Sequence, residues 1–242
     1  MSHDQRLADQ LRQTSEDFAA LLARYSALER RHESLAATHA QLVQATQALA
    51  GGDEPARRQA AHTLFDATWH DELTGLPTMA LLSHKAEQQI ALAWQGGARV
   101  ALLAIELDGL LPLADSHGAG VLDAVLQASA NRLLQVIRGC DLLARSGPHS
   151  FTALMVGPKT DEDLAPIAQR LLGALTQAMP LAQDRLQPAA HIGCAFFPRD
   201  GTDLPTLLDH AAVALSVARL EGGNGCRSYS MGMPDRPQPL AG

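Results

Sequence analysis

The sequence has few cysteines and no long apolar run, and each absence excludes a class of protein. Its three cysteines are far apart along the chain, form no Cys-x-x-Cys pair and do not have the spacing of a zinc-ligand set. A disulfide framework and a structural zinc site are therefore not expected. No run of about 18 or more apolar residues is present, and the N-terminal segment has no signal-peptide hydrophobic region. These absences predict a soluble cytoplasmic protein.

Aromatic residues and positive charge are also scarce. Aromatic residues make up only 4% of the chain, so aliphatic side chains and alanine must form the core. The 26 acidic residues outnumber the 19 lysines and arginines, which gives a net charge of -7. Because nucleic acids and anionic membranes attract basic patches, neither is an expected partner.

Residues 1–50 carry a heptad pattern. No glycine or proline interrupts them, leucine fills one heptad position almost throughout, and the other seam position is partly polar, with His32 and His39. This pattern predicts a coiled coil, because a lone helix would expose its leucine stripe to water. The seam histidines are interpreted as residues that set the register rather than as a pH sensor. We expect a homodimer that forms through residues 7–49.

Residues 51–70 are predicted to form a hinge and a linker helix. Gly51 and Gly52 stand where a helix C-cap is expected. Asp53 is a good N-cap for the next helix, and Pro55 suits its first turn.

Helical and strand-like segments alternate from residue 71 to residue 230. Gly147 and Pro148 separate two short strands, which predicts a hairpin. The order predicts an α/β (α+β) domain with a ferredoxin-like βααββαβ sheet covered by helices. Residues 231–242 are rich in proline and glycine without periodicity and are expected to be disordered. The predicted strands lie within residues 98–108, 141–146, 151–157, 191–198 and 225–230, and the helices end near residues 94, 138, 179 and 221.

Five segments of this region carry a family resemblance. They read DELTGLPT, AIELDGLLPLADSHGAGVLDAVL, RGCDLLARSGPHSF, HIGCAFFPRDG and AAVALSVARLEGGN. In order and spacing they resemble the GGDEF (diguanylate cyclase) family over residues 71–230. The earlier string Gly51-Gly52-Asp53-Glu54 is not the signature, because its flanks are helical whereas the signature turn joins two strands. The resemblance instead implies a signature turn at Gly147-Pro148-His149-Ser150-Phe151.

The resemblance implies a chemistry that this turn does not match. In active family members, two divalent cations hold the triphosphate of one GTP while the 3′-hydroxyl of another attacks its α-phosphorus. The family's turn supplies a magnesium-binding carboxylate and a second acid, where this chain has His149 and Ser150. Imidazole suits zinc or copper better than magnesium, and Pro148 has a fixed φ and no N–H. His149 is interpreted as an exposed turn histidine rather than as a metal ligand.

Other positions implied by the resemblance are partly retained. Glu106 corresponds to the metal-binding Asp of the strand. Asp123 keeps a guanine-contacting Asp, whereas the partner Asn is replaced by Ala114. Arg219 replaces one phosphate-contacting basic residue, and Gly223 takes the place of the other. Because metal, base and phosphate groups are lost together, we predict no catalytic residue, no bound Mg²⁺ and no cyclase activity.

A ligand-binding motif survives in front of the turn. Arg138 and Asp141 form an R-x-x-D motif, and five residues separate Asp141 from Gly147. The resemblance implies that this motif binds cyclic di-GMP: arginine donates to guanine O6 and N7 or to phosphate, and the carboxylate accepts from guanine N1–H and the amino group. Arg170 on the following helix corresponds to a further arginine contact. The alternatives are a relic of an active ancestor and an ordinary surface ion pair.

These observations predict a catalytically inactive GGDEF protein that is a cyclic di-GMP receptor or effector. Ligand at Arg138 and Asp141 would reorient the two domains of the dimer, and an unidentified protein partner would recognise the new geometry. Replacing either residue by alanine should abolish binding without unfolding the dimer. The alternative is a ligand-independent scaffold or dimerisation partner in cyclic di-GMP signalling. Residual cyclase activity or GTP binding, which Glu106, Asp123 and Arg219 would support, is the least favoured hypothesis.

Overall fold

The computed structural model of the chain describes residues 39–40, 43–51, 53–57, 60, 69–96, 99–110, 119–158, 160–181 and 184–233. The chain divides into two compact units, residues 1–65 with 110–125, and residues 66–109 with 126–242. Most of the predicted coiled coil lies outside the described residues, as do Ala114 and residues 234–242. The homodimer and the disordered tail therefore stay predictions.

The first unit contains the junction between two helical segments. Residues 43–51 and 54–57 are helical, and Asp53 between them is not. The Asp53 carboxylate accepts a hydrogen bond from the Ala56 N–H at 3.0 Å, and its carbonyl accepts from the Arg57 N–H at 2.9 Å. Asp53 is thus the N-cap that the sequence predicts, because its side chain satisfies an N–H that the first helical turn leaves without a partner.

The second unit is built on a five-stranded sheet. Its strand order is β2-β3-β1-β6-β7, with β1 antiparallel to both β3 and β6, and β6 parallel to β7. The order β2-β3-β1-β6 is the ferredoxin-like arrangement, which confirms the predicted α/β fold. From residue 79 the elements are α1 (Met79–Gly96), β1 (Val100–Asp108), α2 (Ala119–Val136), β2 (Leu142–Arg145), β3 (Ser150–Val156), α3 (Asp161–Leu175), β4 (Met179–Leu181), β5 (Asp184–Leu186), β6 (Ala189–Phe197), α4 (Leu204–Leu220) and β7 (Gly225–Ser228). Residues 119–125 of α2 belong to the first unit, and the rest of that helix and all the other elements from residue 79 belong to the second.

Helices α1 and α4 pack against one face of the sheet. Leu82 and Ile90 of α1 and Leu207 of α4 share one core cluster with Val100 and Leu102 of β1. Side chains alternate between the two faces of a strand, so Glu106 lies on the same face of β1, beyond this apolar cluster. The fold therefore places a carboxylate at the edge of the interface between sheet and helices.

Helix α3 begins at Asp161 and ends earlier than the sequence predicts. The Thr160 hydroxyl accepts from the Asp163 N–H at 3.3 Å and caps the N-terminus. At the other end, the Arg132 guanidinium of α2 donates to the carbonyls of Ala174, Gln177 and Ala178 at 3.3, 2.7 and 3.2 Å. These carbonyls have no partner within a helix, so Arg132 stabilises the helix end at Leu175. The expected extension to Met179 is wrong.

The residues after α3 form a second, two-stranded sheet of β4 and β5. The sequence interpretation missed this hairpin because each strand has only three residues, which is too short to show an alternating pattern. Among the described residues, no helix is both long and apolar enough to cross a lipid bilayer.

Two cysteines that are far apart in the sequence lie close together in the fold. The parallel pairing of β6 with β7 brings the Sγ atoms of Cys194 and Cys226 to 3.5 Å from each other, with both thiols free. The hydrogen bond between the thiols and the burial of Cys194 raise the pKa of Cys194. Sequence spacing alone could not reveal this contact, because it depends on the register of two strands separated by a helix.

Candidate functional site

The signature turn joins β2 to β3 and is held by backbone hydrogen bonds. The N–H groups of Ser146 and Gly147 donate to the Ser150 carbonyl at 3.0 and 3.3 Å. The Leu107 N–H of β1 donates to the His149 carbonyl at 2.9 Å. The turn between two strands is therefore present, although none of its residues from Gly147 to Phe151 is a carboxylate.

His149 does not lie in the environment that the sequence analysis expected. Its side chain is half-buried, and its Nδ1 atom is buried without a hydrogen-bond partner among the described residues. The interpretation as an exposed turn histidine is therefore wrong. The hydrogen bond from Leu107 places residue 149 alongside the central strand, which a turn assignment from sequence does not include.

Arg145 connects the signature turn to the DELTGLPT segment. Its Nη1 atom donates to both carboxylate oxygens of Asp71, at 3.0 and 3.2 Å. Its Nε and Nη2 atoms donate to the carbonyls of Gly147 and Pro148, both at 3.3 Å. One guanidinium thus orients the first half of the turn and attaches it to the start of the domain. The sequence interpretation assigned no role to either member of this pair, although both lie within the quoted family segments.

Asp71 is held as a carboxylate by its surroundings. Burial by itself raises the pKa of Asp71, but hydrogen bonds from the Thr74 hydroxyl and from Arg145 outweigh burial, and the net pKa lies below the ordinary value of 3.8. The Thr74 hydroxyl and N–H donate to Asp71 Oδ1 at 2.7 and 2.9 Å. The same carboxylate therefore orders its own loop and neutralises Arg145.

The structure brings two of the predicted active-site remnants together. Glu106 lies between Ser150 of β3 and His191 of β6 in the sheet register. The Oε1 atom of Glu106 is 3.3 Å from Nη1 of Arg219, and Arg219 lies on the last turn of α4. The residue that corresponds to a metal ligand therefore forms an ion pair with the residue that corresponds to a phosphate contact. Asp123 is exposed on α2, in the first unit.

His191 is a buried polar residue beside Glu106 that the sequence interpretation did not single out. Its side chain is 3% exposed, its Nε2 atom is 3.8 Å from Asp108 Oδ2, and its Nδ1 atom has no hydrogen-bond partner in the described part of the chain. Within those described ranges, no group of three or more His, Cys, Asp or Glu side chains is placed to bind a metal ion.

The R-x-x-D motif forms a turn between α2 and β2 that is closed by its own aspartate. The Asp141 N–H donates to the Arg138 carbonyl at 3.0 Å. In return, the backbone N–H of Arg138 donates to Asp141 Oδ2 at 3.3 Å, and the Val156 N–H donates to Asp141 Oδ1 at 3.0 Å. The Asp141 carboxylate thus attaches the turn to the end of β3, and it is the backbone of Arg138, not its guanidinium, that donates to it.

Arg138 lines a cleft of about 480 Å³ beside this turn. The accessible surface of the cleft is mostly polar, with one arginine and one carboxylate, and the side chains of Val156, Pro158 and Ile167 add a smaller apolar part. Arg170 is not among its lining residues and is exposed on α3, one turn after Ile167. Of the three predicted ligand contacts, Arg138 therefore lines the cleft, Asp141 supports the turn that carries Arg138, and Arg170 lies outside. The lining residues are Arg138, Val156, Gly157, Pro158, Asp163 and Ile167.

Comparison with known proteins identifies the family. Residues 68–225, more than half of the chain, match the model of the diguanylate cyclase GGDEF domain. The chain belongs to the GGDEF family. It is 31% identical to the bifunctional diguanylate cyclase/cyclic di-GMP phosphodiesterase MucR of Pseudomonas aeruginosa. The alignment of 167 residues covers 69% of this chain and 24% of MucR. This chain therefore carries a GGDEF domain of the kind found in cyclic di-GMP signalling proteins.

Solved structures give the same fold. The GGDEF domain of TpbB (YfiN) from Pseudomonas aeruginosa superposes with a TM-score of 0.65 at 25% identity and covers 68% of this chain and 96% of that one. The coiled coil and GGDEF domain of DgcB from Caulobacter crescentus, in complex with cyclic di-GMP, superposes with a TM-score of 0.64 at 17% identity and covers 84% of this chain and 99% of that one. The chain spans less than two fifths of the length of the curated relatives MucR and TpbB.

Proposed function

We propose that this GGDEF domain makes no cyclic di-GMP and instead binds it in the cleft lined by Arg138. The observation that carries the proposal is the cleft itself, which lies beside the R-x-x-D turn and has a volume in the usual range for small-molecule sites. A guanidinium can donate in a fork to guanine O6 and N7 or to the phosphates of the ligand. The half-buried side chains of Val156 and Ile167 add a smaller apolar surface that a purine face can contact.

The surroundings of the signature turn support the loss of catalysis. Magnesium requires oxygen ligands, and the turn offers the imidazole of His149 where the family has a carboxylate. Pro148 lacks an N–H, and the carbonyls of Gly147 and Pro148 already accept from Arg145. The retained acid, Glu106, forms an ion pair with Arg219. This donor set does not fit a magnesium pair, and we expect no bound Mg²⁺.

Calorimetry on the purified full chain tests the binding half of the proposal. Cyclic di-GMP is expected to bind with micromolar or tighter affinity, and Arg138→Ala to weaken binding by about tenfold to a hundredfold, since a fork of arginine hydrogen bonds to guanine contributes about 1–3 kcal/mol. Arg185→Ala is the matched control, because it removes an equal charge from an exposed site in β5 that does not line the cleft. No heat from the wild-type chain at high ligand concentration would refute the receptor function.

A separate assay tests the loss of catalysis. Incubation of the chain with GTP and Mg²⁺ is expected to yield no cyclic di-GMP by liquid chromatography, while an active diguanylate cyclase run in parallel yields product. Product that forms with the wild-type chain and disappears in Glu106→Ala would instead establish a residual cyclase that uses the retained acid.

The second candidate function is a scaffold that binds a protein partner independently of cyclic di-GMP. Two large apolar side chains near the end of α1 support it, since Leu92 and Trp94 are 56% and 61% exposed. Large exposed apolar side chains can contribute to protein contact surfaces, and these two, which are two residues apart on a helix, point to different sides of α1. This function predicts a protein partner whose affinity is the same with and without saturating cyclic di-GMP, whereas the receptor function predicts that the ligand changes that affinity.

A further inference from the structure

The carboxylate of the R-x-x-D motif accepts hydrogen bonds from the protein backbone. Asp141 Oδ1 accepts from the Val156 N–H at 3.0 Å and Oδ2 accepts from the Arg138 N–H at 3.3 Å. Each carboxylate oxygen can accept a second hydrogen bond, but Asp141 is not among the residues that line the cleft, and turning its carboxylate toward the cleft would leave these backbone N–H groups without their partner, which costs free energy. Asp141 therefore acts as a positioning residue: it holds the turn that carries Arg138 onto the end of β3.

A different carboxylate lines the cleft. Asp163 lies in the first turn of α3 and is a lining residue together with Arg138. The neighbouring acid Asp161 is not a lining residue, and its Oδ2 atom is 2.8 Å from Nη1 of Arg199. Glu162 is exposed and is not a lining residue. Of the three acids in this first turn, only Asp163 faces the cleft that contains Arg138.

We propose that Asp163, rather than Asp141, recognises the guanine base of cyclic di-GMP in this chain. The Asp163 carboxylate accepts from guanine N1–H and from the 2-amino group, while Arg138 donates to O6 and N7 or to a phosphate. The half-buried side chains of Val156 and Ile167 give the mostly polar cleft a smaller apolar surface against which the purine packs. The inference rests on the proposed function, since it names the residue that gives the same cleft its preference for guanine.

The test pairs variants of the protein with a variant of the ligand. Cyclic di-inosine monophosphate lacks the 2-amino group of cyclic di-GMP, so the ratio of the two dissociation constants measures the recognition of that group. The wild-type chain is expected to bind cyclic di-GMP about tenfold more tightly than the inosine analogue, because the analogue lacks one hydrogen bond to a charged carboxylate. In Asp163→Ala the ratio should fall close to one, because the acceptor is gone.

Glu162→Ala is the matched control, since it removes an equal charge from the same helical turn outside the cleft; its ratio should equal that of the wild type. Thermal melting of each variant establishes that it is folded. If Asp163→Ala does not fold, Asp163→Asn keeps the shape and should reduce the ratio about threefold, because a neutral acceptor binds about half as strongly.

Three outcomes would overturn the inference. A wild-type ratio near one, with both ligands bound, would mean that no carboxylate recognises the 2-amino group, although the receptor function would stand. A ratio that persists in Asp163→Ala but is lost in Asp141→Ala would return the role to Asp141. Binding of neither ligand to the wild-type chain would refute the proposed function and this inference together.

Discussion

Replacing Gly193 by alanine is expected to destabilise the sheet domain by at least about 4 kcal/mol, which is in the range of the most damaging single substitutions. A Cβ atom at this position would lie 2.1 Å from the Ala211 carbonyl oxygen and 2.1 Å from the Leu215 nitrogen. Both atoms belong to the backbone of α4, which cannot rotate away as a side chain can. The only relief is to move α4 off β6, and that would open the core between the helix and the sheet.

The close approach at Gly193 is a property of both elements. Helix α4 buries a row of alanines at Ala211, Ala214 and Ala218, so its own side chains also keep it near the sheet. Small residues on a helix and a glycine on the facing strand together allow this short separation. A substitution on either side therefore affects the position of the whole helix, including Arg219 on its last turn.

Urea and thermal unfolding of the full chain measure this effect. For a domain of this size, a loss of about 4 kcal/mol lowers the melting temperature by about 8–16 °C. Gly173→Ala is the matched control: Gly173 is exposed in α3, and an added Cβ would meet no atom within 4 Å. That change should be neutral or stabilise the chain by about 0.5–1 kcal/mol, because alanine favours a helix over glycine. Equal melting temperatures for Gly193→Ala and the wild type would contradict the prediction.

The sheet and its order could be predicted because the central strands carry strong local signals. The strand β1 is apolar without interruption from Val100 to Ile105, and β3 is apolar except for Ser150 and Thr152, which is typical of strands flanked on both sides. The hairpin of β4 and β5 was missed because its strands are too short to show a period. The end of α3 was placed too late because Arg132, which binds the last carbonyls, is 42 or more residues away in the sequence.

The candidate site was predicted in part for a similar reason. The positions of Arg138, Glu106 and Arg219 follow from motifs that are continuous in the sequence. The hydrogen bonds of Asp141 to backbone N–H groups, and the position of Asp163 on the cleft, depend on how α2, β3 and α3 meet. The residue type at a motif position shows which hydrogen bonds a side chain can form. Only the fold shows whether that side chain faces the cleft or is bonded to the backbone.

Replacing Arg145 by alanine is expected to destabilise the domain by about 2 kcal/mol at neutral pH. The side chains of Arg145 and Asp71 are only 12% and 25% exposed, so the loss of the guanidinium leaves a carboxylate with little access to water. A fully buried pair would cost more, about 3–5 kcal/mol, and partial exposure reduces that figure. The carbonyls of Gly147 and Pro148 also lose a donor, so the signature turn becomes less ordered.

The pH dependence of this effect distinguishes the ion pair from a simple loss of packing. Because the folded-state pKa of Asp71 is lowered below 3.8, the pair stabilises the domain above pH 3.8, and this contribution is lost as the pH falls through the folded pKa. Urea unfolding of the wild type and of Arg145→Ala should therefore differ most at neutral pH and converge in acid. Arg185→Ala, at an exposed position, should match the wild type at every pH. A difference for Arg145→Ala that stays constant down to the lowest pH would assign the loss to packing of the arginine chain rather than to its bond with Asp71.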